Sequence, residues 1–538
     1  MKPKTFGVML DCSRNAVMRP EKVKEFAALI KSMGYNMLQL YTEDTYEVEG
    51  EPYFGYMRGR YTIEEMKDMD AYCQSIGVEL IPCIQVLAHL GHLPRWEDFF
   101  RHMDCRDVLL VGDPRVYELI DRMFATLSKC FTTRRIHIGM DEAFYLGFGR
   151  YIQQHGFRNR SEILLEHLNK VKELADKHGL QPMMWSDMFF HLVHGNRNDA
   201  DVEKGLPQEV IDAVPQGVDL VYWDYYSTEI EHYNRQFAAH RQFVNNKTVF
   251  AGGIWTWTGY APNLRYSMNS TEAAMRSCVE NGIDEIFLTM WGDDGKDCSY
   301  FSALPLLFAA SEMVEGNFDR EDIAAKFEQK FGYSFAEFME LEAGNIQNDE
   351  ITISNPCKYI LFNDPFLGLF DYTMHDGVKP LYAAAAKRLA ASVNGRQYDY
   401  LFDFEAKLLT LLTNKCDFGI RLRAAYAGGD KAAMQQMHDV DFPQMIADAE
   451  MVYTAFRKLW LYENKAFGLE VQEMRFGQLL LRLRSCAERL QDYLDGVIPC
   501  IEELEEKQLL GHYEMEGKPE CFNAYLQIIS TCADACSP

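Results

Sequence analysis

An aspartate and a glutamate stand side by side where a short apolar run ends, in the order His137-Ile138-Gly139-Met140-Asp141-Glu142. Two adjacent carboxyls can divide labour, one staying ionised and the other kept protonated by a drier environment. Extended backbone alternates its side chains, so His137, Gly139 and Asp141 share one face and Ile136, Ile138 and Met140 the other. Asp141 is therefore expected to point inward, with Glu142 just beyond the strand. Such a pair alone is equally a loop start or a helix cap, and the tryptophans tip the reading. Of seven tryptophans, Trp185, Trp223, Trp255, Trp257 and Trp291 fall at or just after four successive apolar runs, and only Trp460 lies in the last third of the chain. Aromatic rings cover the apolar C–H faces of a sugar while their rims leave room for hydroxyl partners, so an aromatic-walled pocket is expected. Asp187, Asp224, Tyr225, Asp293 and Asp294 stand beside these rings and could bond hydroxyls, or be satisfied by nearby backbone N–H groups.

The elements that must position these residues alternate in type. Apolar runs occur at Thr5–Asp11, Asn36–Tyr41, Val78–Ile84, Arg135–Gly139, Pro182–Trp185, Asp219–Trp223, Thr248–Ile254 and Glu285–Trp291. Between them lie stretches such as PEKVKEFAALIKSMG and SEILLEHLNKVKELADKHG, with apolar residues at i, i+3, i+4 and i+7 and a glycine at the end. Strand and helix alternating eight times over about 310 residues predict an α/β fold of the (β/α)₈ barrel type, with chemistry at the carboxyl ends of the strands. A doubly wound open sheet is the alternative, but the first strand-to-helix turn has no G-x-G-x-x-G for phosphate. From about residue 316 the strand signals stop. KPLYAAAAKRLAASV, EAKLLTLLTNKCDFGIRLRAAYAG and EMRFGQLLLRLRSCAERLQDYLDGVIPCIEELEEK read as long helices. The expected division is a barrel over 1–315 and a helical domain over 316–538.

Composition narrows the class of partner. With 54 Lys+Arg against 80 Asp+Glu the formal charge is −26, which repels nucleic-acid backbones and anionic membranes. A hydrophobic share of 48% with 25% charged residues is that of a globular protein with a large core. No basic stretch followed by an apolar core opens the sequence, and no long uninterrupted apolar run follows, so neither export nor membrane spanning is expected. Fourteen cysteines are scattered singly without a C-x-x-C pair, as expected of reduced thiols in a cytoplasmic protein. The sequons at Asn159, Asn246 and Asn269 then carry no sugar.

His-Ile-Gly-Met-Asp-Glu resembles the H-x-G-x-D-E signature of glycoside hydrolase family 20, the β-N-acetylhexosaminidases. Similarity continues in order through GVMLDCSRN, IPCIQVLAH, MMWSDM, VYWDYY and LTMWGDD, over roughly residues 5–310. HIGMDEAFYLG and VYWDYY are similar in particular to the hexosaminidase D subgroup. The resemblance implies hydrolysis of terminal β-linked GlcNAc or GalNAc with retention, the 2-acetamido oxygen of the substrate serving as nucleophile. It implies Asp141 as the carboxylate that orients the acetamide and Glu142 as general acid and base. Tyr225 is the candidate donor to the acetamide oxygen, and Trp185, Trp223, Trp255 and Trp291 the pocket walls. His89 and His137 are read as orienting residues, with a satisfied core histidine as the bland alternative for each. No metal or other cofactor is called for, and the partner is a small carbohydrate.

At three places the chain departs from the family pattern. Phe6 precedes the strand-one Gly7 where the family has a sugar-binding Arg, which makes Arg14 the substitute candidate. The third strand reads Ile84-Gln85-Val86-Leu87-Ala88-His89, keeping the His and losing an Asp. Asp293 replaces the Glu that usually follows the strand-eight Trp. A shorter carboxylate that reaches the 4-hydroxyl through water or a loose contact discriminates weakly between epimers. GlcNAc and GalNAc aryl glycosides are therefore expected to show kcat/KM values within about tenfold, or about 1.4 kcal/mol. A measured ratio above about a hundredfold would point instead to a direct, desolvated partner for that hydroxyl, with Arg14 and Asp293 the first suspects. Two other classes stay open on the residues: a metal-dependent barrel hydrolase using His89, His92, His137 and Asp141, and a catalytically silent sugar-binding barrel.

Overall fold

Residues 3–194, 205–509 and 521–533 are described by the computed structural model. Eight parallel strands close into a barrel: β1 (Thr5–Asp11), β2 (Met37–Tyr41), β3 (Glu79–Cys83), β4 (Arg135–His137), β5 (Gln181–Trp185), β6 (Asp219–Trp223), β7 (Thr248–Gly253) and β8 (Glu285–Met290). Closure is made by β1 on β8, in register from Thr5 opposite Glu285 to Leu10 opposite Met290. The strands read as apolar runs because helices cover one face and barrel-filling side chains the other, so no face meets water. In β1 every residue after Thr5 is buried.

The intervening helices start where local chemistry satisfies their free N–H groups. Thr62 and Glu65 form a reciprocal capping box ahead of Ile63–Ser75. Asn159 caps Arg160–Lys177 by accepting the Ser161 N–H at 2.9 Å. Pro114–Cys130 buries Val116, Leu119, Ile120, Met123, Phe124 and Leu127, the spacing of one helical face.

Two local features were not anticipated. The fourth strand stops at His137 rather than Gly139, because Gly139 and Met140 take φ of +70° and +74° and end the extended run. Between β3 and the helix Pro114–Cys130, a small antiparallel hairpin pairs Met103–Cys105 with Val108–Leu109.

The chain divides into two compact units. The first comprises residues 1–254, 267–290 and 306–323 and contains the whole barrel; the second comprises 255–266, 291–305 and 324–538. Within the second unit the helices Val378–Ser392, Asp399–Lys415, Phe418–Ala427, Phe442–Glu463 and Leu469–Leu494 dominate. The stretch 405–428, read from sequence as one helical run, is split after Lys415. The last long helix stops at Leu494, before Gly496 in the left-handed region, where sequence periodicity carried on to residue 507. Tyr260 is fully buried there, its ring 5.4 Å from Phe456 and 5.7 Å from Phe476. The buried Lys358 ammonium is held by Asp294 at 2.8 Å and Asp297 at 2.7 Å, and Arg475 joins the same carboxylates. A buried charge persists only with such pairing. No helix among the described residues is long and apolar enough to cross a membrane.

Candidate functional site

Past the end of β4 the backbone turns sharply, and side chains from neighbouring strand ends meet that turn. The Gly139 N–H donates to His137 Nδ1 at 3.1 Å, the Met140 N–H to Gln85 Oε1 at 3.0 Å and the Glu142 N–H to Asp187 Oδ2 at 3.1 Å. Gly139 has no substitute here: a Cβ would lie 2.1 Å from Gln85 Oε1, and its φ is one that glycine alone adopts freely. Alternation along an extended strand does not bring Asp141 inward; the turn does.

Asp141 and Glu142 sit in unlike surroundings. The Asp141 side chain is 9% exposed and that of Glu142 36%. Gln85 Nε2 donates to Asp141 Oδ1 at 2.7 Å, and His89 Nε2 lies 3.2 Å from Asp141 Oδ2 and 3.8 Å from Glu142 Oε2. The drier carboxyl is thus Asp141, and it is the ionised one, the reverse of the expectation that the drier environment keeps its carboxyl protonated. Burial alone would raise its pKa, but the His89 charge and the His89 and Gln85 contacts outweigh it and hold the group below the usual carboxylate range. Burial likewise opposes charge on His89, and the Asp141 carboxylate overcomes it, pushing the imidazole up to about 9. At neutral pH the two form an imidazolium–carboxylate pair. His137 is the opposite case: burial pushes it down to about 3, and its neutral ring packs 4.3 Å from Trp185.

Arg14 joins the site through a polar chain. Its guanidinium is 3.4 Å from Asp11 Oδ2 and 3.3 Å from Glu43 Oε1, and lies over the Tyr41 ring. The Tyr41 hydroxyl donates to Glu43 at 3.1 Å and accepts from Gln85 Nε2 at 3.0 Å, which leads on to Asp141. Asp187 closes the other side. Burial first, then the negative charges of Asp141 and Glu142, push its carboxyl up to about 7. Trp223 stacks on Tyr225 with centroids 5.5 Å apart, and the Tyr225 ring lies so close to Gly253 that a Cβ there would come within 2.7 Å. Trp185 is 1% exposed, packed against His137 and Phe287. Asp224 accepts from the Tyr222 hydroxyl at 2.8 Å and the Tyr226 N–H at 3.0 Å and contacts His232 at 2.6 Å, so it holds its own loop.

This geometry follows a sequence pattern that a known catalytic-domain model recognises. The model of the glycosyl hydrolase family 20 catalytic domain matches residues 6–279, about half of the chain, and that of the glycoside hydrolase 20C C-terminal domain matches residues 334–522. The chain belongs to glycosyl hydrolase family 20. It is 25% identical to Hexosaminidase D of Homo sapiens over 221 residues, which is 38% of this chain and 42% of that protein. Against Hexosaminidase D of Bos taurus it is 22% identical over 358 residues, 60% of this chain and 96% of that one. The match thus spans less than half of the human relative's length. A solved exo β-N-acetylglucosaminidase of the same family from Vibrio harveyi shares 17% identity over 63% of this chain and 58% of its own, at a TM-score of 0.45.

Of the other anticipated residues of this family 20 chain, Trp255, Trp257, Trp291, Asp293 and Asp294 fall in the second unit. Trp255 stacks on Trp257 at 4.5 Å and meets Tyr266 edge-on, and the Thr256 hydroxyl donates to the Trp291 carbonyl at 3.1 Å. Asp293 opens a 3₁₀ turn whose next residue, Asp294, is pinned by Lys358. Among the described residues no group of three or more His, Cys, Asp or Glu side chains is arranged to hold a metal ion. His92, a ligand in the metal reading, is kept neutral by burial and by Arg58, at about 4.

Sequence reading did not include Asp11, Tyr41, Glu43 or Gln85 among the site residues, and left Asp187 open between hydroxyl binding and a loop residue satisfied by backbone N–H groups. The available signal was position, since each lies at or just past the carboxyl end of a strand. The charge on His89 carries a testable consequence. A histidine whose folded pKa is raised adds stability that is complete below its unfolded value and is lost as pH climbs through the folded one. For His89 that window runs from 6.5 to about 9. His89→Gln should flatten the fall of Tm with pH across this window relative to the parent, measured by calorimetry. Parallel curves would contradict the imidazolium assignment.

Proposed function

We propose that this chain removes terminal β-linked N-acetylhexosamine residues, with retention, using the acetamido oxygen of the substrate as nucleophile. The observation that carries the reading is the contrast between the neighbours Asp141 and Glu142. One is buried and held ionised by His89 and Gln85; the other is more exposed and 3.8 Å from His89. That is the division the reaction needs. Ionised Asp141 accepts the acetamide N–H and stabilises the positive charge that grows on the oxazolinium ring. As the acetamido oxygen bonds to the anomeric carbon, the glycosidic C–O bond breaks and Glu142 delivers its proton to the departing oxygen. Glu142 then takes a proton from the water that opens the ring, restoring the acetamide and the starting protonation state.

Tyr225, oriented by its stack on Trp223 and its seat on Gly253, donates to the acetamide oxygen and keeps it beneath the sugar ring. Arg14, tied to Asp11 and Glu43, offers the remaining cationic contact to sugar hydroxyls. Most of the described cysteines are buried, which suits the reducing cytoplasm that this proposal assigns to the enzyme.

The test is a pair of aryl β-glycosides that differ only at carbon 2. The 2-acetamido compound should be hydrolysed and the plain β-glucoside should be nearly inert, because it lacks the internal nucleophile. Comparable rates on both would rule out acetamido participation, and inertness on both would overturn the hydrolase reading.

A further inference from the structure

We propose that Gln85 and Asp187 are positioning residues for this reaction, holding the Asp141-Glu142 turn in its strained backbone and each serving one of the two carboxyls. The proposal rests on the reading just given for Asp141 and Glu142. Three residues in the four-residue span 139–142 carry positive φ, Gly139 at +70°, Met140 at +74° and Glu142 at +49°. Two of them are not glycine, and such a backbone persists only where the surroundings over-determine it. Here the surroundings are side-chain acceptors from other strand ends.

Gln85, two residues past β3, accepts the Met140 N–H through Oε1 at 3.0 Å and donates through Nε2 to Asp141 at 2.7 Å and to Tyr41 at 3.0 Å. An amide can accept and donate at once; a carboxylate of the same shape cannot donate. Asp187, two residues past β5, accepts the Glu142 N–H at 3.1 Å, and nothing in that bond requires its charge. Gln85 therefore fixes the carboxylate of Asp141 directly, whereas Asp187 fixes the peptide from which the Glu142 side chain departs.

The two losses should then look different. On the full chain, with aryl β-GlcNAc substrates of good and poor leaving groups, Asp187→Ala should lower kcat about 100-fold on the poor ones and far less on the good, since a displaced acid matters only where protonation is needed. Asp187→Asn, whose amide oxygen accepts the same N–H, should return kcat to within about fivefold of the parent on both. Gln85→Ala should lower kcat about 100-fold on both kinds alike, with KM moving much less. Gln85→Glu keeps the acceptor but sets an anion against Asp141 Oδ1, and should be no better than Gln85→Ala.

Parent-like kcat in both alanine variants, or one shared leaving-group pattern for both, would overturn the proposal. If the alanine variants do not fold, the isosteric pair decides: Asp187→Asn near the parent with Gln85→Glu about 100-fold down supports it, and any other ranking overturns it. An inactive parent would instead overturn the hydrolase reading itself, so the two failures are distinguishable.

Discussion

Glu142→Gln is expected to lower kcat by about 10²- to 10⁴-fold on β-GlcNAc glycosides whose leaving group is an ordinary sugar hydroxyl. On aryl glycosides with acidic phenols the loss should be far smaller, because an oxygen that departs as a stable phenolate needs little protonation. The glutamine keeps the shape of the side chain but removes both its proton and the base that later activates water, so the comparison is made on kcat/KM, which covers only the steps through departure. A plot of log kcat/KM against leaving-group pKa should therefore steepen relative to the parent enzyme, and an unchanged slope would remove Glu142 from the role of general acid.

Asp141→Asn should cost about 10²- to 10³-fold on good and poor leaving groups alike, since the oxazolinium charge develops whatever departs. The structure adds a second readout. Asp141 is the partner that lifts His89 to about 9, so in the asparagine variant the imidazole should titrate at least one unit lower, observed by NMR of the ring protons. Equal leaving-group slopes in the Asp141 and Glu142 variants would show that the two roles are wrongly assigned.

The barrel was readable because each strand is an apolar run, buried on both faces, and each following helix keeps a 3.6-residue apolar stripe. Those are local signals, and all eight strands appear where the runs stand. The site was less readable because its polar contacts are not local. Gln85 reaches Tyr41 over 44 residues and Asp141 over 56, and Asp187 reaches the Glu142 N–H over 45. They meet only once the barrel has closed. Alternation carried on from Ile136 also put Asp141 inward on a strand that in fact ends at His137, and it could not foresee positive φ at Met140 and Glu142. Gln85 looked like a missing carboxylate; the donors and acceptors around it make the amide the group that fits.

The central claim is that the substrate supplies its own nucleophile, and graded fluorination of the acetamido group on one activated aryl β-GlcNAc substrate tests it most directly. Each fluorine withdraws electron density from the amide oxygen that must attack, while the leaving group and the sugar hydroxyls stay the same. The account predicts a steady fall in kcat/KM, more than about a hundredfold from acetyl to trifluoroacetyl, or about 2.7 kcal/mol. A flat series would contradict it, and would assign the nucleophile to the protein or to water instead of the acetamido oxygen.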